Sequence, residues 1–350
     1  MPSFHELFLT HCASKGMFAV SRLPLADHCT FYYQESNPTE IYDLKALNGK
    51  QGFLFAPFIA SKEHPILLME KAEVTRCGLE LSASLNDLKL SEVSNIADHY
   101  LYTFNTFHTA LKEKLFQKLV LARFVKVEVC EFDLEQLFLT ACQLYPCQHI
   151  ALVSSPQSGT WLMATPEILL EKQQGELWQT MALAGTMYKT EAEQEWSEKN
   201  KQEHEYVSTY ILNCLAKYAD TINVSDPYTA VAANLAHLRT DISFIPRNEQ
   251  RIGDLLADLH PTPAVCGIPK EKAKEFIIAN EGMDRSYYSG FVGSLNMGGE
   301  THLYVSLRCM QIMKDSCRLY AGGGLLAESC VESEWKETEA KLQTMRKLLL

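Results

Sequence analysis

Short apolar runs broken by turn residues recur along almost the whole chain, and such a chain satisfies its buried backbone chiefly by pairing strands. Phe18-Ala19-Val20, Phe31-Tyr32-Tyr33, the run opening Gly52-Phe53 and Ile66-Leu67-Leu68-Met69 are separated by Pro, Asn, Gly and Lys, and each predicts a strand. Residues 118–129 (KLVLARFVKVEV) alternate as a central strand would, and 150–153, 161–164 and 168–171 continue the pattern. Further strands are predicted over 291–295, 303–313 and 318–320. Helical stripes are fewer. From about Ser91, the residues Val93, Ile96, Tyr100, Phe104, Phe107 and Leu111 step by three or four. Residues 134–144 and 196–218 predict two more helices, and 277–281 the end of another. A last helix is expected to begin near Ser329, where Ser329-Cys330-Val331-Glu332 has capping-box spacing, and to run towards Leu350. Clustered strands outnumbering helices predict an α+β fold, a single large domain of antiparallel sheets with helices packed outside.

Composition removes several classes of function. With 43 Asp+Glu against 32 Lys+Arg the net charge is −11, which argues against a general nucleic-acid binder. A hydrophobic fraction of 47% excludes a disordered chain. The longest apolar stretches, such as FLFAPFIA over 53–60, fall far short of the roughly 18 residues a spanning helix needs. The start, MPSFHELFLTHCASK, lacks a basic segment followed by a long apolar one, so a soluble cytoplasmic protein without membrane partners is expected. Eleven cysteines without a C-x-x-C pair read as reduced core thiols. If the ligand is an anion, local positive charge must overcome the overall repulsion.

Several residues suit chemistry. Glu334, Glu337 and Lys341 fall on one face of the last helix, although a solvated Glu/Lys face has the same spacing. Just upstream, Ala321-Gly322-Gly323-Gly324 reads as a turn between strand and helix whose free N–H groups suit an anion. It is neither a dinucleotide fingerprint nor a P-loop. Glu203 sits on the edge of the apolar face of the 196–218 helix, placed either to enter a cleft or to cover the helix N-terminus. His204-Glu205 does not continue into a zinc-type H-E-x-x-H. Lys118 opens an apolar strand and Glu167 precedes another, positions that suit acid/base work or a plain ion pair. Residues 259–267 and 284–293 are loops.

The order of the motifs is far more specific than any one of them. KLVLAR (118–123), LAGT (183–186), HLRT (237–240), LHPTPAVCG (259–267), DRSYYSGFVG (284–293), SLRC (306–309), AGGG (321–324) and ESEWKETEAKL (332–342) follow one another. In this the chain resembles the chorismate-utilising enzymes, from about Ser91 to the C-terminus. That family includes isochorismate synthases, salicylate synthases and the large subunits of anthranilate and aminodeoxychorismate synthases. The resemblance implies the antiparallel α+β fold of that family, with residues 1–90 a strand-rich part of it and 91–350 the chorismate-binding catalytic region.

It also implies roles. Lys118 matches a general base that activates water for attack at ring C2, and Glu167 the general acid that protonates the departing C4 hydroxyl. Glu203 and Glu337 match carboxylates that bind Mg²⁺, with Glu334 beside them. Arg308 and Tyr288 match the pair holding the enolpyruvyl carboxylate, while Gly322, Gly324 and Lys341 support the carboxylate end. His237 lines the site and Gly185 permits close approach at the leaving hydroxyl. Ala264, in a HPTPA context, points to the isochorismate synthases, which feed menaquinone or catecholate siderophores. A salicylate synthase and a non-catalytic homologue are the alternatives. The implied partner is chorismate, a small dicarboxylate, and the expected state a monomer. Gly323, Met187-Tyr188 and Asn200 depart from the usual pattern.

Overall fold

Most strands are covered on both faces, which explains why their apolar runs are continuous. Every side chain of Ile66–Met69 is buried, as are nearly all of His149–Ser155. The computed structural model describes residues 3–12, 16–79, 96–129, 131–191 and 195–349. Two large sheets face each other. The nine-stranded sheet runs Gly267–Ile268, Lys118–Glu128, Ser316–Leu325, Cys309–Ile312, Gly159–Thr165, His149–Ser155, Met17–Arg22, His28–Gln34, Glu73–Gly78. The ten-stranded sheet runs Ala219–Val224, Leu235–Pro246, Trp178–Tyr188, Ile168–Lys172, Glu300–Val305, Phe291–Met297, Gly52–Ala56, Ile66–Met69, Thr39–Ile41, with Tyr228–Ala232 paired to Leu235–Pro246. All of these pairings are antiparallel.

Met17, Ala19, Phe53, Phe55, Trp161, Met163 and Val292 fill the space between the sheets. Helices Leu134–Leu144 and Val331–Arg346 cover the outer face of the nine-stranded sheet. Glu198–Leu215 and Ile252–Leu259 cover that of the other. The Leu134–Leu144 helix has the range its periodicity predicts: Asp133 caps it by accepting from the Gln136 N–H, and Leu137, Phe138, Ala141 and Cys142 face the sheet. No helix among the described residues is long and apolar enough to cross a membrane.

The structure corrects several expected boundaries. The predicted 303–313 strand is two strands in different sheets, Glu300–Val305 and Cys309–Ile312. Between them the chain crosses the sandwich at Ser306-Leu307-Arg308, with Arg308 at φ +44°. Pro166-Glu167 makes the same kind of crossing between Gly159–Thr165 and Ile168–Lys172. Both sides of the Ser306-Leu307-Arg308 crossing are core, so apolar periodicity passes through it unbroken, whereas Thr165-Pro166-Glu167 interrupts it as the two strands predicted there require. The glycine run is not a turn. It is the end of the Ser316–Leu325 strand, with Gly322, Gly323 and Gly324 opposite Ala122, Leu121 and Val120. Nor is Ser329 a helix cap: Cys330 holds that position, and the Ser329 hydroxyl donates to Glu334 instead. The 91–111 stripe becomes a helix at Asp98–Lys112, with Ile96 ahead of it and 91–95 outside the described residues. The 196–218 helix is Glu198–Leu215, capped by Ser197 accepting from the Asn200 N–H.

Arg285 joins the two loops to the Lys118 strand. Its guanidinium donates to Glu281 Oε2 at 2.6 Å, the Val265 carbonyl at 2.7 Å and the Val120 carbonyl at 2.9 Å. Glu281 in turn accepts from the Ala122 N–H at 2.7 Å, and both charged side chains are buried. Removing one member of a buried pair strands the other charge, so Arg285→Leu is expected to cost about 3–5 kcal/mol in urea unfolding. A cost below about 1 kcal/mol, the level of an exposed ion pair, would show that the loops do not depend on it.

Candidate active site

The two crossings meet, and they bring Glu167 and Arg308 together. The Val305 N–H donates to the Glu167 carbonyl at 3.0 Å, and the Ala164 N–H to the Arg308 carbonyl at 3.1 Å, so each crossing is pinned to the other's strand. Around them one narrow cleft of about 50 Å³ gathers Glu167, Gly185, Glu203, His237, Ala264, Tyr288, Arg308, Gly322, Gly324 and Lys341. Ala264 reaches it because its loop pairs with the Lys118 strand: Gly267 lies opposite Leu119, and Val120 donates to the Cys266 carbonyl at 2.7 Å. A larger cavity of about 290 Å³, lined by Ser21, Tyr32, His149 and His302, contains none of these residues.

One wall is positive. Arg308 and Lys341 are both buried, and His237 lies against the guanidinium with 3.1 Å between its Nε2 and Arg308 Nη2. His237 Nδ1 is 2.9 Å from the Gly185 carbonyl, which can only accept, so Nδ1 carries the proton and Nε2 accepts from arginine. Burial, reinforced by Arg308 and Lys341, pushes the imidazole down to about 3 and keeps it neutral. The Gly185 carbonyl is aimed there by a bulge between Ala184 and Met187, where Gly185 adopts φ +72°. Lys341 donates to the Gly322 carbonyl at 2.8 Å and to Glu337 Oε1 at 2.6 Å. Tyr288 stacks on Tyr320 at 5.2 Å, and burial raises its phenol above the ordinary value.

Beyond Leu319 the Ser316–Leu325 strand is paired along one edge only, so alternate backbone groups of Gly322 to Gly324 turn towards the cleft. Gly324 must lack a side chain. A β-carbon there would fall 2.0 Å from Glu203 Oε1 and 2.9 Å from Lys118 Cε. Lys118 itself is fully buried behind that glycine, its Nζ 3.0 Å from Glu203 Oε1 but without an aligned hydrogen bond. Glu167 is the other buried group. Burial lifts its carboxyl to about 7 against the pull of Lys118, Arg308 and Lys341, so near neutral pH it holds a proton it can give up.

Glu334 and Glu337 lie round the strand on the helix side, lining a cavity of about 400 Å³ that shares Thr186 with the cleft. Glu334 is buried: Oε1 accepts from Ser329 at 2.8 Å and pairs with Lys199, whereas Oε2 has no partner. Burial raises this carboxyl, against Lys199. For Glu337 burial is outweighed by Lys341, Lys199 and a 3.1 Å hydrogen bond from Thr186, and its carboxyl is held low. Glu334 Oε2 and Glu337 Oε1 lie 3.2 and 3.6 Å from where a β-carbon on Gly323 would sit, space that the alanine usual in the resembled family would narrow.

Hard carboxylate oxygens, one of them buried and unsatisfied, fit a Mg²⁺ ion. Glu203 faces Lys118 across the next glycine, however, and among the described residues no three acidic, His or Cys side chains converge tightly enough to clasp a metal. Each carboxylate is engaged by a lysine. Thr186, Lys199 and Ser329 thus belong to the site although the sequence reading did not assign them. For Lys199 the signal is its position four residues before Glu203, on the same helix face.

Two facing antiparallel sheets with helices outside thus enclose a cleft where buried cations surround one protonatable carboxyl, a setting whose charges suit a small anion. The sequence profile of the chorismate binding enzymes matches residues 52–350, and the chain belongs to that family. It is 30% identical over 239 residues to isochorismate synthase EntC of Escherichia coli K12, covering 65% of this chain and 61% of that protein. To isochorismate synthase MenF of Bacillus subtilis it is 29% identical over 300 residues, covering 79% and 63%. The aligned stretch thus spans under two thirds of either relative's own length. Among solved structures, Bacillus anthracis DhbC, assigned as a 2,3-dihydroxybenzoate-specific isochorismate synthase, superposes with a TM-score of 0.82 at 26% identity, covering 99% of both chains.

Proposed function

We propose that this chain is an isochorismate synthase, an isomerase that converts chorismate to isochorismate with Mg²⁺ bound. The observation that carries the reading is Glu167, a protonatable carboxyl buried in a cleft whose remaining charges suit a dicarboxylate. Arg308, with Tyr288 beside it, holds the enolpyruvyl carboxylate in a charge-assisted contact, and neutral His237 fixes the guanidinium without competing for the anion. Lys341 and the open edge of Gly322 to Gly324 take the ring carboxylate end. Lys118 accepts the proton of the water that attacks C2, and Glu167 gives its proton to the C4 hydroxyl as it leaves. Gly185 leaves room at that hydroxyl. Glu203 and Glu337 would hold Mg²⁺, with Glu334 beside them, and the ion would supply positive charge towards the ring carboxylate. Ala264 places a methyl group rather than a hydroxyl in the cleft wall, which favours isochorismate over further elimination to salicylate.

Purified protein incubated with chorismate and Mg²⁺ should yield isochorismate by chromatographic separation. Salicylate accompanied by pyruvate, or unchanged chorismate, would reject the reading. Excess EDTA should stop turnover, and added Mg²⁺ should restore it. Activity indifferent to EDTA would remove the metal assignment from Glu203, Glu334 and Glu337.

A further inference from the structure

We propose that Lys199 is a resident counter-ion of the metal-binding carboxylates, and that Mg²⁺ enters from the helix-side cavity by displacing it. This rests on the metal assignment above. Lys199 stands one turn before Glu203 on the Glu198–Leu215 helix, and its Nζ is 2.5 Å from Glu334 Oε1. It is paired with Glu334, lines the same cavity as Glu337 and stands on the helix that carries Glu203.

Each carboxylate has a lysine, but only one of these lysines has somewhere to go. Lys118 is walled in completely, and Lys341 is also tied to the Gly322 carbonyl. The Lys199 side chain is 23% exposed and borders the 400 Å³ cavity, so its flexible stem can swing outward. A single ammonium on Oε1 leaves Glu334 Oε2 buried and without a partner, beside the same glycine as Glu337 Oε1, and a divalent ion would satisfy it. The two cations cannot share the place, because like charges a few ångströms apart in a desolvated pocket repel strongly. The route follows from charge as well. The cleft side sets Arg308 and Lys341 against Glu167 and Glu203, whereas on the helix side Glu195, Glu334 and Glu337 outnumber Lys199 and Lys336. A free cation is drawn to the second.

Two measurements on the full chain test this, with Mg²⁺ alone as the probe. In titration calorimetry, Lys199→Met should bind Mg²⁺ about tenfold more tightly than wild type, because no internal cation has to leave. Lys336→Met, at an exposed position on the same cavity, should change affinity by less than about twofold. In the wild type, acylation of Lys199 by an amine-reactive ester, followed by peptide mass spectrometry, should speed up several-fold when Mg²⁺ saturates the protein, and that of Lys336 should not. Unchanged or weaker binding by Lys199→Met would overturn the inference and make Lys199 a residue that holds Glu334 in place for the metal. Unchanged or slower acylation of Lys199 with Mg²⁺ overturns it too, and decides the matter if the variant fails to fold. Wild-type protein that takes up no Mg²⁺ removes the metal assignment along with the inference. Wild type that binds normally, with a variant that binds no better, removes the inference alone.

Discussion

Lys118→Met should lower kcat for isochorismate formation by about 10²–10⁴-fold, the usual contribution of a positioned general base, while substrate affinity changes by less than about threefold. Methionine suits the test because Lys118 is fully buried behind Gly324, and an unbranched thioether fills that channel without leaving a cavity. The substitution removes the amine and little else. Affinity is expected to survive because Arg308 and Lys341, which take the substrate's carboxylates on the proposed reading, lie on other elements. The variant also strips Glu203 of its ion partner at 3.0 Å, so some loss of thermal stability should accompany the loss of rate. The two effects separate cleanly: equilibrium binding of chorismate and an unchanged circular dichroism spectrum report a folded, ligand-competent protein. A kcat within tenfold of wild type in such a protein would show that another group takes the water's proton.

Much of this site was legible in the sequence, and the parts that were not share a cause. Ten residues assigned from motifs, among them Glu167, His237, Ala264 and Arg308, line a single cleft. Lys118 and the pair Glu334 and Glu337 lie just outside it, behind a glycine strand that composition reads as a turn. Glycine is ambiguous on its own, since the same missing side chain serves a tight turn and a crowded strand. What settles Gly324 is the approach of Glu203 and Lys118, more than a hundred residues earlier in the chain, which no local pattern records. The crossing at Ser306-Leu307-Arg308 is hidden for the opposite reason, whereas the one at Pro166-Glu167 shows as the gap between the strands predicted over 161–164 and 168–171. Ser306-Leu307-Arg308 passes between two equally apolar environments, so the period of two runs on while the chain changes sheets. Together the two crossings hold Glu167 and Arg308. Lys199 and Glu334 are likewise 135 residues apart, and helix spacing could suggest only that Lys199 faces the same way as Glu203.

The second large effect is expected at Glu167, and its pH dependence says more than its size. Glu167→Gln keeps the volume and polarity of the side chain but removes the proton, and kcat should fall by about 10²–10⁴-fold. In the wild type, burial lifts the carboxyl from its ordinary value to about 7, so the acid form dominates below that pH and is lost above it. At pH 8 only about one tenth would remain protonated, and kcat/KM, which reports the free enzyme, should therefore fall about tenfold per pH unit on the alkaline side. The limb for kcat should lie at higher pH. Lys118, Arg308 and Lys341 all pull the Glu167 carboxyl down, and a bound dicarboxylate would neutralise the last two. With those charges answered by substrate, burial acts with less opposition and the proton is held more firmly. Glu167→Gln should lose this descending limb altogether. Coincident limbs for kcat and kcat/KM would mean that the substrate's carboxylates do not reach Arg308 and Lys341. A limb that persists in Glu167→Gln would place the proton donor on another residue.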